Sequence, residues 1–233
     1  MSGVVLINKP SGMTSFYVTG KVRRALGIKK AGHAGTLDPL ATGVLPVMTE
    51  RATRLIDLMP DEKKTYLAGF MLGMTTDTLD CEGEVLSDQP VCVSENEILA
   101  VLQKFSGEIT QIPPMYSALC KDGVKLYELA RKGIEVERKP RKAHVFSIEL
   151  TEFDGECGKI RITCSKGTYV RTVIDDMGTA LSCGAFMTSL VREKSCGFDI
   201  SQCVSLDDFL CEPQKYLQSA EIAIGQYPSV CVT

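Results

Sequence analysis

Two histidines, His33 and His144, are all that the 233-residue chain contains, and its ten cysteines stand no closer than seven residues apart. With no C-x-x-C pair, a structural zinc site of ordinary ligand spacing is hard to assemble. The cysteines are therefore expected as small, reduced core residues. No run of about 18 apolar residues is present, so no segment reads as a membrane-crossing helix. The amino terminus, MSGVVLINKPSGMTSF, lacks the basic-then-apolar order of a signal peptide. The expectation is a soluble, unexported, cytoplasmic protein. Also missing are G-x-x-x-x-G-K-[ST], G-x-G-x-x-G after a strand, G-x-S-x-G and H-E-x-x-H. Nucleotide hydrolysis, dinucleotide hydride transfer and zinc proteolysis lose their sequence support. No metal and no cofactor is implied.

Acidic side chains are missing from the first 37 residues, which hold Lys9, Lys21, Arg23, Arg24, Lys29 and Lys30 and so carry +6. The formal net charge of −3 therefore conceals a segregation along the chain. A second basic stretch, 121–142, nets +4, whereas 199–233 nets −4. Two basic segments suit a polyanionic partner bound through counterion release.

The 44% of hydrophobic residues is enough for one medium domain. Val4 to Ile7 reads as a buried strand ended by Asn8-Lys9-Pro10. A helix follows, capped by Thr14 or Ser15, with Val18, Val22 and Leu26 on its inner face and a stop at Gly27. From Ile28 to Val47 the pattern has neither period, and its three glycines and two prolines mark a functional loop. Ser94 followed by Glu97 is a capping box before another helix. The polar, basic stretch 111–142 predicts a protruding hairpin or mobile loop with a short helix within 124–132. Three strand patterns follow, at 143–154, 158–171 and 185–199, with a helix from near Thr172. These elements predict an α+β fold, a mixed, largely antiparallel sheet flanked by helices. Residues 203–233 read as a short tail.

One carboxylate stands out, Asp38, which is the first acidic residue of the chain and lies in the glycine-rich loop. An anionic carboxylate there suits a nucleophile; the ordinary alternative is an Asx turn at Leu37-Asp38-Pro39. Tyr169 and Arg171, at i and i+2, would share one face of a strand, and an arginine fork can bind a carboxylate through two parallel hydrogen bonds. Tyr66 and Tyr169 suit either a base-stacking role or the core. His33 is a planar ring able to wedge out a base. The cluster Asp77, Asp80 and Glu82 lacks the spacing of a calcium loop and reads as a plain turn.

The segment GHAGTLDPLATGVLPV at 32–47 closely resembles the central motif of the bacterial tRNA pseudouridine-55 synthases of the TruB type. The resemblance continues in order through NKPSGMTS at 8–15 and the segments 64–85, 111–138 and 164–193. It spans essentially residues 3–200. It implies the pseudouridine synthase fold, a catalytic domain at 1–200 and a mobile RNA-gripping loop at 113–141. It also implies isomerisation of a T-loop uridine without cofactor, with tRNA as the partner, engaged at its T-loop and elbow, and no protein partner. By resemblance Asp38 is the nucleophile and Arg171 the arginine that pairs with it. Tyr66 would stack on the target base, Tyr169 and Leu190 would line the pocket, and His33 would help extract the nucleotide. The basic charge of the loop makes Lys139, Arg141 and Lys142 the expected RNA-backbone contacts. Family members usually continue into a PUA-type domain, and the expectation here is that 201–233 is a short tail without one. A non-catalytic tRNA-elbow chaperone is the competing reading.

Overall fold

A computed structural model describes residues 2–58 and 63–221. The last part of the expected tail, 222–233, lies outside the described residues. The chain forms two units, one made of Met1–Tyr66 with Leu190–Thr233 and the other of Leu67–Ser189. The first unit opens with β1 (Gly3–Lys9), α1 (Ser15–Ala25), β2 (Ala31–His33), β3 (Thr42–Thr49), a 3-10 turn and α2 (Leu55–Leu58). From it β4 (Lys64–Leu72) runs into the second unit, which contains β5 (Met74–Thr76), β6 (Val85–Asp88), α3 (Glu95–Gln103) and β7 (Gly107–Gln111). Next come β8 (Cys120–Lys121), β9 (Val124–Lys125), α4 (Leu126–Ala130), β10 (Arg141–Phe153), β11 (Cys157–Cys164) and α5 (Val170–Ala180). Then β12 (Ala185–Ser195) returns the chain to the first unit, followed by β13 (Phe198–Asp199), β14 (Val204–Ser205), α6 (Leu206–Cys211) and β15 (Gln218–Ser219).

In the first unit the strand order is β14-β1-β3-β12. β1 pairs antiparallel with β3 from Gly3↔Thr49 to Lys9↔Gly43, and parallel with β14 through Ile7↔Val204. Every residue of β1 except Asn8 is buried, as expected for a strand covered on both faces. Period-two alternation divides its side chains between two cores. Val4 and Leu6 pack with Val44, Met48 and Phe198, while Val5 and Ile7 pack with Val18, Val22, Leu45 and Phe209. α1 is thus held by its apolar stripe, and Thr14 caps it by accepting from the Tyr17 N–H at 3.1 Å.

In the second unit β4, β11, β10 and β7 are neighbours in that order. β10 is antiparallel to both β11 and β7, with two bulges against β11. α3 carries the expected Ser94–Glu97 capping box. Helix α5 ends in a Schellman turn: the Cys183 N–H donates to Gly178 O at 3.2 Å and the Ser182 N–H to Thr179 O at 3.0 Å. Ser182, exposed, holds the left-handed φ of +60° that glycine usually supplies there. Ser182→Gly is expected to raise stability by about 0.5–1 kcal/mol. A higher urea midpoint at unchanged m would show it; an unchanged or lower midpoint would mean the turn is unstrained.

The α+β class and the largely antiparallel sheet are as expected. Several local expectations need correction. The supposed loop 28–47 contains β2 and all but the last two residues of β3, a strand buried at every position but its first. Its glycines and prolines masked a central strand whose partners lie on both sides. Only three of the nine described cysteines, Cys164, Cys183 and Cys196, are buried, and four are exposed. Residues 112–140, by contrast, contain the β8–β9 hairpin and α4, the hairpin and the short helix within 124–132 that were expected. In the first described part of the expected tail, β14 and β15 both pair with β1, while Leu206 and Phe209 of α6 are core residues.

Candidate functional site

In the first unit Asp38 lies between β2 and β3, on a loop held at several points through its backbone. The Ser15 hydroxyl, buried at the start of α1, accepts from the Leu37 N–H at 2.8 Å and donates to the Leu37 carbonyl at 3.0 Å. On the other side of Asp38, Lys9 Nζ donates to Pro39 O at 3.1 Å and to the carbonyls of Pro10 and Met13. Ser11 Oγ donates to Leu40 O at 3.1 Å, and the Gly12 N–H to Pro39 O at 2.9 Å. The NKPSGMTS segment is therefore the cradle of the Asp38 loop. Lys9 is fully buried, and an ammonium taken out of water is tolerable only because carbonyl oxygens replace its hydration.

Arg192, on β12, grips the same loop further out. It is fully buried; Nε donates to Val44 O and Nη2 to Gly35 O, both at 2.8 Å. Two glycines make room for it. A Cβ on Gly43 would come within 2.3 Å of the Arg192 carbonyl, and one on Gly35, at φ +72°, would meet Nη1 at 3.1 Å. The G-x-L-D-x-x-A-x-G spacing thus reflects close backbone approach at its first and last positions.

His33 ends β2 in the same stretch. Burial, and secondarily the Arg192 guanidinium, hold its pKa below the ordinary histidine value, so the ring is neutral at pH 7. Tyr66 and Leu190, from β4 and β12, are both 8% exposed.

In the second unit Arg171 is buried and its guanidinium is fixed from several directions. Nη1 donates to Thr78 O at 2.9 Å, Nη2 to Tyr116 O at 2.8 Å, and Nη1 lies 3.5 Å from Asp80 Oδ2. Asp80 is itself buried and organises the turn around it. Its Oδ1 accepts from the Thr78 hydroxyl at 2.6 Å and from the Glu82 N–H at 3.1 Å. The plain-turn reading of this acidic cluster is accordingly corrected: one of its three carboxylates is the buried counter-ion of Arg171.

The strand placement of Tyr169 and Arg171 is also corrected. Tyr169 is the N-cap of α5 and Arg171 its second residue, because β11 ends at Cys164 and the Ser165–Thr168 turn leads straight into the helix. The Gln111 amide clasps Tyr169, accepting from its N–H at 3.0 Å and donating to its carbonyl at 3.1 Å. Arg141 is the cross-strand partner of Gln111. Lys139 and Arg141 are exposed, whereas Lys142 pairs with Glu108 at 2.9 Å in a surface bridge that solvent screens.

Residues 23–170 match the family model of the TruB family pseudouridylate synthase N-terminal domain, and residues 171–223 that of the tRNA pseudouridylate synthase B C-terminal domain. The chain belongs to the TruB family. TruB relatives at this level include the tRNA pseudouridine synthase B of Clostridium kluyveri, 46% identical over all of this chain and 81% of the relative. The protein of the same name from Syntrophotalea carbinolica is 45% identical over 100% of this chain and 78% of the relative. Among solved structures, a chain of a Cbf5–Nop10–Gar1 complex superposes with a TM-score of 0.74 at 32% identity. The match covers 96% of this chain but only 62% of that one, less than two thirds of its length.

In this TruB chain, sequence reasoning missed Ser15 and Arg192, which hold the Asp38 loop in the first unit, and Asp80 and Gln111, which hold Arg171 and Tyr169 in the second. Ser15 was visible only as a helix cap. Asp80 carried one usable signal, the neighbouring threonines: the Thr78 hydroxyl donates to its carboxylate and the Thr76 hydroxyl to its backbone carbonyl.

Proposed function

We propose that the chain isomerises uridine to pseudouridine at position 55 of the tRNA T-loop, with Asp38 as nucleophile. The observation that carries this reading is the Asp38 loop itself. Its backbone is pinned on both sides by Ser15, Lys9, Ser11 and Arg192, which fixes the position from which the Asp38 side chain acts.

The reaction breaks the N1–C1′ bond, turns the uracil and joins C5 to C1′. It is an isomerisation, so electrons and atoms balance without a second substrate. An anionic Asp38 oxygen can start it at C1′, at C6 of the ring or at the C2′ proton. Stacking on Tyr66 would offset part of the few kcal/mol spent in unstacking the uridine. Arg171, His33, Tyr169 and Leu190 act with Asp38 in this reading, in the roles that the family resemblance implies.

The test is incubation of the protein with unmodified tRNA transcript, followed by carbodiimide mapping. Pseudouridine at 55 is expected; tight binding without any pseudouridine would favour the elbow-chaperone reading.

We also propose that 113–141 grips RNA through its cations. tRNA affinity is then expected to fall steeply with salt, with a log–log slope shallower by about one to two in a Lys139, Arg141 and Lys142 triple-alanine variant. Filter binding across a salt series measures this. An unchanged slope would remove the loop from the interface.

A further inference from the structure

Thr19 lies one turn after Ser15 on α1 and is 6% exposed. Its hydroxyl donates to the Ser15 carbonyl at 2.8 Å, and the same oxygen lies 2.9 Å from His33 Nδ1. A hydroxyl has one proton, and a carbonyl can only accept. With that proton committed to Ser15, Thr19 can only accept from His33, so the imidazole proton sits on Nδ1. On the far side of the ring Nε2 lies 3.3 Å from the Thr36 hydroxyl, two residues before Asp38. In a neutral ring carrying Nδ1–H, Nε2 holds a single in-plane lone pair; the exposed Thr36 hydroxyl donates to it in the free protein and must turn away for an RNA donor to take its place.

We propose that Thr19 is a positioning residue that locks His33 in the Nδ1–H tautomer, so that His33 meets the RNA as a hydrogen-bond acceptor at Nε2. The inference rests on the reading of the chain as an RNA-modifying enzyme and deepens it. A cationic histidine would attract phosphate. A locked neutral acceptor selects an N–H or O–H instead, such as a base N–H or a ribose 2′-hydroxyl. Burial and the Arg192 guanidinium both disfavour a second proton on the ring.

The tautomer is directly readable. With only two histidines in the chain, a 15N-histidine-labelled sample gives two ring-nitrogen patterns, and a His144→Asn sample assigns them. The full chain at pH 7 is expected to show His33 protonated at Nδ1. Thr19→Val keeps the side-chain shape but offers Nδ1 no acceptor, so the pattern should reverse, with Nε2–H donating to Thr36. Thr19→Ser restores the hydroxyl and should restore the wild-type pattern. An Nε2–H tautomer in the wild type, or an unaltered one in Thr19→Val, overturns the assignment.

Single-turnover rates on an unmodified T stem-loop transcript test the role. Thr19→Val should be slower by about tenfold, the value of one neutral hydrogen bond, with Thr19→Ser near wild type. A reversed tautomer with an unchanged rate would refute the acceptor role. The spectra need no RNA, so an inactive wild type would refute the functional reading while leaving the tautomer assignment standing.

Discussion

Asp38→Asn protein is expected to lose at least about a thousandfold in single-turnover rate while binding tRNA as tightly as the wild type, or slightly more tightly. The amide has nearly the same volume and hydrogen-bonding reach as the carboxylate but carries no charge and no nucleophile. The loop should keep its course, because Ser15, Lys9, Ser11 and Arg192 all hold it through backbone atoms. Removing a negative charge from a chain segment that otherwise carries only cations up to that point cannot weaken its attraction for phosphate. A filter-binding curve and a single-turnover assay on one transcript separate the two effects. Pseudouridine formed within tenfold of the wild-type rate would sink the nucleophile assignment. Equal losses of rate and affinity would make Asp38 a structural residue of the loop.

The second large effect is expected at Arg171. Arg171→Lys keeps the charge, yet an ammonium is a compact donor that cannot reach Thr78 O, Tyr116 O and Asp80 together in the geometry of a planar fork. Asp80 would then keep a poorly placed counter-ion inside the protein, with a cost of about 1–3 kcal/mol in stability. The rate should fall by about a hundredfold, the usual consequence of misplacing a group by about 1 Å, with much less change in tRNA affinity. Asp80→Asn provides the control. If Asp80 serves to aim the guanidinium, that variant should show a smaller loss of the same kind. If Arg171→Lys turns over normally, the three-way clamp has no part in the reaction.

How much of this was legible in the sequence differed from element to element. α1 and α3 could be read because their signals are local: a hydroxyl cap, an apolar stripe at i and i+4, a capping box. β3 was hidden because Pro46 and Gly43 argue locally against a strand, and only its pairing with β1 and β12 overrides them. Asp38 and the G-x-L-D-x-x-A-x-G spacing were visible as a pattern, but the reason for the spacing was not. Gly43 is required by an Arg192 carbonyl some 150 positions away in the sequence, a relation that no window of neighbouring residues contains. Asp80 was misread for the same reason. Its partner Arg171 is distant in sequence, and a buried acid in a turn looks like a solvated one until its burial is known.

The division of the first unit between the two ends of the chain sets an order on its assembly at the ribosome. β1 and β3 emerge early and can pair, but β1's other edge has no partner until Val204 and Ser205 have been made. Until then a strand that is buried along almost its whole length in the finished protein offers open N–H and C=O groups to any neighbouring chain. The Asp38 loop shares that delay, since the guanidinium that ties Gly35 to Val44 arrives only with residue 192. A nascent chain halted before β12 would hold the Asp38 loop through Lys9, Ser11 and Ser15 but without the Arg192 tie, and the open edge of β1 would leave it prone to aggregate.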